Sequence, residues 1–465
     1  MAGRTHRRRF LKASVATGIG FWVAGGISPR PSRAAIDTIN FASIGVGGKG
    51  SSDSADAAAH GNMVAICDID ERNLNRAAAK WPNAKKYFDF RKMLEEMDKS
   101  IDAVTVSTPD HTHAVASAMA MKMGKACFTQ KPLTHSVWEA RQLAEIARTM
   151  KVATQMGNQG TAETNLRTSA ALIKAGVIGK VKEVHVWTNR PIWPQGLARP
   201  MDEPPCPPEV HWDEFLGPAP YRPYHPAYHP FKWRGWWDFG TGALGDMACH
   251  TLNMAYMALN LRDPISIIAE TPGHNRETYP AWSVIRYEFG ELNGRPPVTL
   301  IWYDGGKKPP RELLPPREAF KGPDGKPLIE NEQQYANVIN TGCLVIGEKG
   351  SLFSPGDYGG DSHHTGVWFD NKEYVLQSQI KEPRVEVKVS PGHFREWVEA
   401  IKGGEPAMSN FPDYAGGLTE TVLLGNLAVW ASGKKILWDA EKLEATNAPE
   451  VAHVIKPEFR EGYSL

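Results

Sequence analysis

Ile39-Asn40-Phe41-Ala42-Ser43-Ile44-Gly45-Val46-Gly47-Gly48-Lys49-Gly50 is the stretch that decides the fold. An apolar run ends in a G-x-G-x-x-G pattern, and a segment of helical composition opens from about Ser51. Glycines here permit a tight turn, close approach of backbone to a pyrophosphate, and close helix–strand packing. The helix N-terminus then favours the phosphates, so Gly45, Gly47, Gly48 and Gly50 read as a cofactor cradle. The second apolar run ends at Asp68, 23 residues after Gly45, where a carboxylate accepts from both hydroxyls of an adenosine ribose. Asp68 and Asp70 repel a 2′-phosphate and no arginine follows immediately, which favours NAD over NADP.

Working outward, short apolar runs at 39–45, 63–67, 103–106, 126–129 and 152–156 alternate with amphipathic stretches. Residues 136–150, for example, carry Val137, Ala140, Leu143, Ala144 and Ala147 at helical spacing. Continuous apolar strands separated by helices predict a parallel sheet covered on both faces, a doubly wound α/β Rossmann domain over 36–157. Its fourth strand ends in Ser107-Thr108-Pro109-Asp110-His111-Thr112-His113, at the edge where open α/β sheets bind ligands. Thr108 and Pro109 belong to that edge, and His113 either faces the nicotinamide ribose or caps a helix. The fifth strand ends in Gln130-Lys131-Pro132, which projects a lysine over the cleft.

Beyond about residue 180 the texture changes. Runs at 181–188, 265–270, 283–289 and 298–303 are strand-like and often alternate, with helical stretches at 392–401 and 414–431. These predict an α+β domain over 158–440 with a large, mainly antiparallel open sheet, followed by a tail at 441–465. Long irregular insertions interrupt it at 191–237, dense in Pro, Trp, Tyr and His, and at 305–340, rich in Pro, Lys and Glu. Loops of that length are functional or mobile as a rule. A sheet with an uncovered face needs a partner, so a homodimer or homotetramer through the open sheet is expected.

The chain has 53 basic and 52 acidic residues, but seven of the basic ones and no acid lie in residues 1–34. Without them the balance is 46 to 52, which excludes a general nucleic-acid binder and suits a small-molecule partner. Arg7-Arg8-Arg9-Phe10-Leu11-Lys12 precedes an uncharged stretch of Gly and Ala, too short and weakly apolar for a membrane span. Ser32-Arg33-Ala34 follows as a small-residue cleavage site. Residues 1–34 therefore resemble a twin-arginine signal, which implies a periplasmic or otherwise exported protein and no stable membrane insertion after cleavage. Five scattered cysteines (Cys67, Cys127, Cys206, Cys249, Cys343) without a C-x-x-C pair speak against a disulfide framework or a structural zinc site.

Gly240-Thr241-Gly242-Ala243-Leu244-Gly245-Asp246-Met247-Ala248-Cys249-His250 places Asp246 and His250 at i, i+4, on one face if the segment is helical. His250 titrates in a useful range and can be held by Asp246; Lys131 can stabilise a developing alkoxide or shuttle the proton. No third ligand is placed for a metal. The glycine fingerprint, the Lys-Pro after the fifth strand and this D-x-x-x-H together resemble the glucose–fructose oxidoreductase and inositol dehydrogenase family (Gfo/Idh/MocA). That resemblance implies an NAD(P)-dependent oxidoreductase acting at a carbinol carbon of a sugar, cyclitol or glycoside. It also implies Lys131 as catalytic lysine, with Asp246 and His250 as the acid and histidine of the substrate domain. One departure is plain: the family's Glu-Lys-Pro is here Gln130-Lys131-Pro132, which removes a carboxylate beside the lysine.

Between 187 and 237 lie Trp187, Asn189, Arg190, Trp193, His225, Tyr228, His229, Trp233, Arg234, Trp236 and Trp237. Aromatic platforms with polar fingers suit sugar rings, and Trp187, Asn189, Arg190, Trp193, Trp236 and Trp237 read as substrate-binding; the alternative is packing or an interface. An exported enzyme lacks free NAD, so tight retention of the cofactor is expected. Retention admits a second chemistry within the family's range, a glycosidase that oxidises a ring hydroxyl, eliminates the aglycone and reduces the ring again. A binding protein that has lost catalysis is the third reading.

Overall fold

The computed structural model describes residues 38–370 and 372–465, so the export signal expected over 1–34 lies outside the described residues. The first sheet contains β1 (Ile39–Ile44), β2 (Gly61–Cys67), β3 (Lys85–Tyr87), β4 (Ala103–Val106), β5 (Ala126–Thr129) and β6 (Thr154–Met156). Their order is β3-β2-β1-β4-β5-β6 and every neighbouring pair is parallel. Strand order reverses between β1 and β4, and there the connections diverge and leave a crevice at the carboxyl ends. The inner strands β4 and β5 are buried along their whole length because helices cover both faces. Those that frame the crevice are α1 (Gly48–Ala58), α2 (Glu71–Lys80), α3 (Asp110–Lys122) and α4 (Val137–Met150). The start of α4 is set by a capping box: Glu139 N–H donates to Ser136 Oγ at 3.3 Å and Ser136 N–H to Glu139 Oε2 at 2.7 Å.

The second sheet has ten strands: β7 (Val181–Trp187), β8 (Ser266–Glu270), β9 (Val284–Phe289), β10 (Val298–Tyr303), β11 (Gly342–Gly347), β12 (Gly350–Pro355), β13 (Gly366–Phe369), β14 (Glu373–Leu376), β15 (Ile436–Asp439) and β16 (Glu444–Ala445). The order is β14-β13-β12-β11-β7-β10-β9-β8-β15-β16, antiparallel except for the parallel pair β7–β10. Helices α5 (Gly242–Thr251) and α6 (Gly416–Trp430) pack beneath its inner face. Both are buried around nearly their whole circumference, because each also packs against further elements on its other sides.

The outer face is not left open along its whole width. Leu314, Phe320, Ile329 and Tyr335 of the 305–340 insertion pack on Trp187, Tyr303, Leu344, Phe353, Trp368 and Tyr374. The strip over β9 and β10 that remains is polar. Arg286 Nε donates to Glu288 Oε1 at 2.6 Å, and Thr299 Oγ1 donates to Glu288 Oε2 at 2.9 Å. The chain itself thus covers the outer face over β7 and β10 to β14, whereas Leu437 of β15, beside β8, stays exposed. No helix among the described residues is long and apolar enough to cross a membrane.

Candidate active site

A cavity of about 590 Å³ opens over the carboxyl ends of β1, β4 and β5 and is roofed by the second half of the chain. Gly45, Gly47, Gly48, Asp68, Thr108, Pro109, His113, Gln130 and Lys131 line it from the Rossmann side. Trp233, Arg234, His250 and Tyr358 line it from the other. The glycines are there because the turn has no room for side chains. A Cβ on Gly45 would stand 2.6 Å from the Ser107 carbonyl oxygen, and one on Gly50 would stand 2.0 Å from the Gly45 oxygen. Gly48, at φ +48°, faces open space and lines the cavity.

Helix α1 begins there with no side-chain cap and no acid in its first turn. Its first N–H groups are therefore available to an anion, which fits the phosphates of a dinucleotide. Asp68 lines the same cavity but is not free as the sequence suggested. Its Oδ2 accepts from Val46 N–H (2.9 Å) and Gly47 N–H (3.1 Å), its Oδ1 from Asp70 N–H (2.9 Å) and Asn73 Nδ2 (3.3 Å). It anchors the glycine turn, and would share these lone pairs with a ribose.

Lys131 and Asp246 meet across the cleft. Lys131 Nζ donates to Asp246 Oδ1 at 2.6 Å and to the Asp246 carbonyl at 2.8 Å. Arg234 Nε lies 3.3 Å from the same Oδ1, while its Nη1 reaches Asp110 Oδ1 at 3.1 Å. Asp110 also accepts from the N–H and Oγ1 of Thr241, at 3.0 and 2.6 Å, at the start of α5. Burial opposes ionisation of Asp246, but the charges of Lys131 and Arg234 outweigh it and hold the carboxyl well below the usual range.

His250 is one turn on from Asp246 in α5, as the spacing required, yet Asp246 does not hold it. Asp246 is turned to the two cations, whereas His250 Nδ1 is buried without a partner among the described residues. Its ring meets the edge of Tyr358, with centroids 4.7 Å apart. Burial, then the nearby charge of Lys131, pushes the His250 pKa well below its ordinary value, so the ring is neutral at pH 7. A neutral imidazole can take a proton from a hydroxyl while an ammonium steadies the oxygen left behind.

Other sequence expectations divide. His113 neither caps α3 nor stands free: its nitrogens lie 2.8 Å from the Pro132 carbonyl and 2.9 Å from that of Thr108, bridging the two loops at the cleft. Gln130 Nε2 donates to Asp53 Oδ2 at 2.8 Å, so a carboxylate still lies one hydrogen bond from the Gln130-Lys131 pair. None of the six residues read as substrate-binding lines the cavity. Trp187 is core, stacked on Phe353 and donating to the Ile339 carbonyl. Trp236 packs with Phe215, Tyr228 and Phe239, and Trp237 stacks on Tyr279 at 3.9 Å. Trp193 is buried and donates to Gln195 Oε1, Arg190 pairs with Asp357, and Asn189 pairs with Arg190.

The insertion contributes His229, Phe231, Trp233 and Arg234 instead. Sequence reasoning also passed over Lys49, Asp110 and Tyr358. Only Asp110 carried a signal, its place at the end of β4.

The far end of the cavity, away from Lys131, is lined by Phe88, Phe90, Glu214, Phe215, His229 and Tyr463. Here the 191–237 insertion straps onto the Rossmann half. Glu71 N–H donates to the Glu209 carbonyl (2.9 Å), His211 N–H to that of Ile69 (2.8 Å), and the His211 ring stacks on Phe88 at 3.7 Å. Arg460 Nε in turn donates to the Gly217 carbonyl at 2.9 Å.

A parallel sheet with a phosphate-ready turn, facing a mainly antiparallel domain that carries an acid and a histidine, defines a two-domain protein built on a dinucleotide-binding Rossmann half. The chain belongs to the Gfo/Idh/MocA family. Residues 39–158 match its NAD-binding Rossmann fold, and residues 162–295 match its C-terminal alpha/beta domain.

A glycosyl hydrolase family 109 protein of Shewanella putrefaciens is 29% identical over 206 residues, 38% of this chain and 44% of the relative. The chain thus matches less than half of that relative's length. Among solved structures, the WlbA dehydrogenase of Bordetella pertussis, in complex with NADH and UDP-GlcNAcA, superposes with a TM-score of 0.57 at 16% identity. That match covers 86% of this chain and 99% of the other. An inositol dehydrogenase homolog of Azotobacter vinelandii, complexed with NADH and myo-inositol, gives 0.54 at 16% identity over 87% and 98%. At these identities the likeness is one of fold.

Proposed function

We propose that the protein is an exported, NAD-dependent oxidoreductase acting at a carbinol carbon of a sugar, cyclitol or glycoside. The observation that carries this reading is the Lys131–Asp246 pair at 2.6 Å, with the neutral His250 lining the same cavity as the glycine turn. Bound NAD would supply the two-electron acceptor for the carbinol hydride. Gly45, Gly47, Gly48 and the start of α1 would hold its phosphates, and Asp68 its ribose. His250 takes the hydroxyl proton, and Lys131, fixed by Asp246, stabilises the oxygen as charge develops on it.

The strap over the far end of the cavity favours retention of the cofactor, and with it the second reading, a redox-neutral glycoside hydrolase. The family 109 relative supports that reading over the segment it shares. One experiment separates the two. Purified protein is denatured and assayed for NAD, and the native protein is given aryl glycosides with no added cofactor. Phenol released with an unchanged sugar supports the hydrolase, and a keto-glycoside that keeps its aglycone, with bound NAD reduced, the net oxidoreductase. Protein that binds no NAD overturns both.

Export rests on the arginine pair. Arg7 and Arg8 changed together to lysine should leave a folded precursor inside the cell, and unchanged export would remove that part of the reading. Assembly into a homodimer or homotetramer through the second sheet would use the part of its outer face over β8, β9 and β15 that the insertion leaves open.

A further inference from the structure

The geometry points to an electroneutral substrate, a sugar, polyol or glycoside without carboxylate or phosphate; this deepens the proposed function and rests on it. Three cations line the reacting end of the cavity, Lys49, Lys131 and Arg234, and each is matched by a carboxylate of the protein. Lys49 Nζ pairs with Asp53 Oδ1 at 2.7 Å, and Asp53, itself buried, accepts on its other oxygen from Gln130 and Ser107. Lys131 is tied to Asp246. Arg234 spends Nη1 on Asp110 and Nε on Asp246, and its flat face is covered by the Trp233 ring at 4.2 Å.

The guanidinium charge is therefore already matched by two protein carboxylates. The histidines of the cavity do not supply a missing charge, because burial favours the neutral form of His113, His229 and His250. A substrate carboxylate buried among these pairs would add a full charge that no protein cation is left to balance. What the cavity offers beyond the matched pairs is aromatic surface, Trp233 and Tyr358, for the C–H faces of a ring.

The test uses the full chain with NAD bound and matched pairs of aryl glycosides, identical except for CH₂OH or carboxylate at C6. A neutral member turned over with kcat/KM about 10²-fold or more above its uronide is the expected result, the scale set by one unmatched buried charge. Asp110→Asn, which leaves Arg234 with one carboxylate, should narrow that gap at least tenfold. Should that variant not fold, Asp53→Asn frees Lys49 without touching Arg234 and should narrow it in the same direction. A uronide turned over as well as or better than its neutral partner overturns the inference and leaves the oxidoreductase reading standing. A gap that neither variant narrows overturns it too. A panel in which no member of any pair is oxidised or cleaved overturns that reading and the inference with it.

Discussion

Asp246 holds two cations rather than the histidine one turn away, and this changes what its removal does. Asp246→Asn would leave Lys131 and Arg234 facing each other, both largely buried. Its loss of turnover should approach that of Lys131→Ala and His250→Ala, each about 10²–10⁴-fold, the scale of a positioned acid–base group. Steady-state rates on the identified substrate, with NAD content measured in parallel, check this. Near-normal turnover of both alanine variants would make the residues structural.

Lys131, Asp246 and His250 could be read from sequence because each sits at a fixed offset from a strand end or within one helix turn. Arg234 and Asp110 are 124 residues apart, and Tyr358 reaches His250 from the loop after β12. No local spacing encodes such meetings. Of the two readings left open for the aromatic residues, packing describes Trp187 at the end of β7 and Trp236 and Trp237 at the end of the insertion, because large rings serve packing as readily as binding.

The turn between β1 and α1 shows how tightly an element can depend on one atom. Gly50→Ala would drive a Cβ to 2.0 Å from the Gly45 carbonyl oxygen, whereas Gly48→Ala meets no atom within 4 Å. Gly50→Ala should abolish NAD binding and lower Tm. Gly48→Ala should cost only about 1–2 kcal/mol for its left-handed backbone and bind NAD more weakly. Thermal denaturation and cofactor titration of the two variants test the order.

A second element, the helix His393–Ile401, docks on β6 through its first residue. His393 Nε2 donates to the Met156 carbonyl at 2.7 Å and Nδ1 accepts from Gln155 Nε2 at 3.1 Å, a pattern only the neutral ring can make. Burial, opposed by the Met156 bond, lowers its pKa from 6.5 to about 4. The folded state therefore binds this proton less readily than the unfolded chain. Its contribution to stability is complete above about pH 6.5 and falls away as the pH drops toward 4. Melting curves between pH 7 and 4.5 should show a steeper loss of Tm for the native chain than for His393→Gln.

At the scale of the molecule, both sheets were legible, because apolar runs separated by helices and alternating runs are patterns of the local chain. β3 was not, nor were β11 to β16. β3 is the short, polar Lys85–Tyr87, and β13 to β16 are two to four residues long, too short for periodicity to speak. The covering of the outer face was illegible too, since Leu314, Phe320, Ile329 and Tyr335 are scattered through a Pro- and Lys-rich loop. The far end of the cavity is likewise assembled from distant segments, and Tyr463 belongs to it, with Arg91 over its ring at 4.4 Å. Tyr463→Ala or Arg460→Ala should speed NAD release without altering the rate of the chemical step. Stopped-flow cofactor exchange and single-turnover rates separate the two effects.

That placement of Tyr463 bears on when the cofactor can be captured. The Rossmann strands emerge early in synthesis and carry the glycine turn, but the pocket they begin is not closed until the strap and then residues 460–463 have left the ribosome. A chain arrested before that point would present an open crevice from which a dinucleotide exchanges freely. A dinucleotide held behind Tyr463 would thus be captured only after the last residues of the chain have joined the fold.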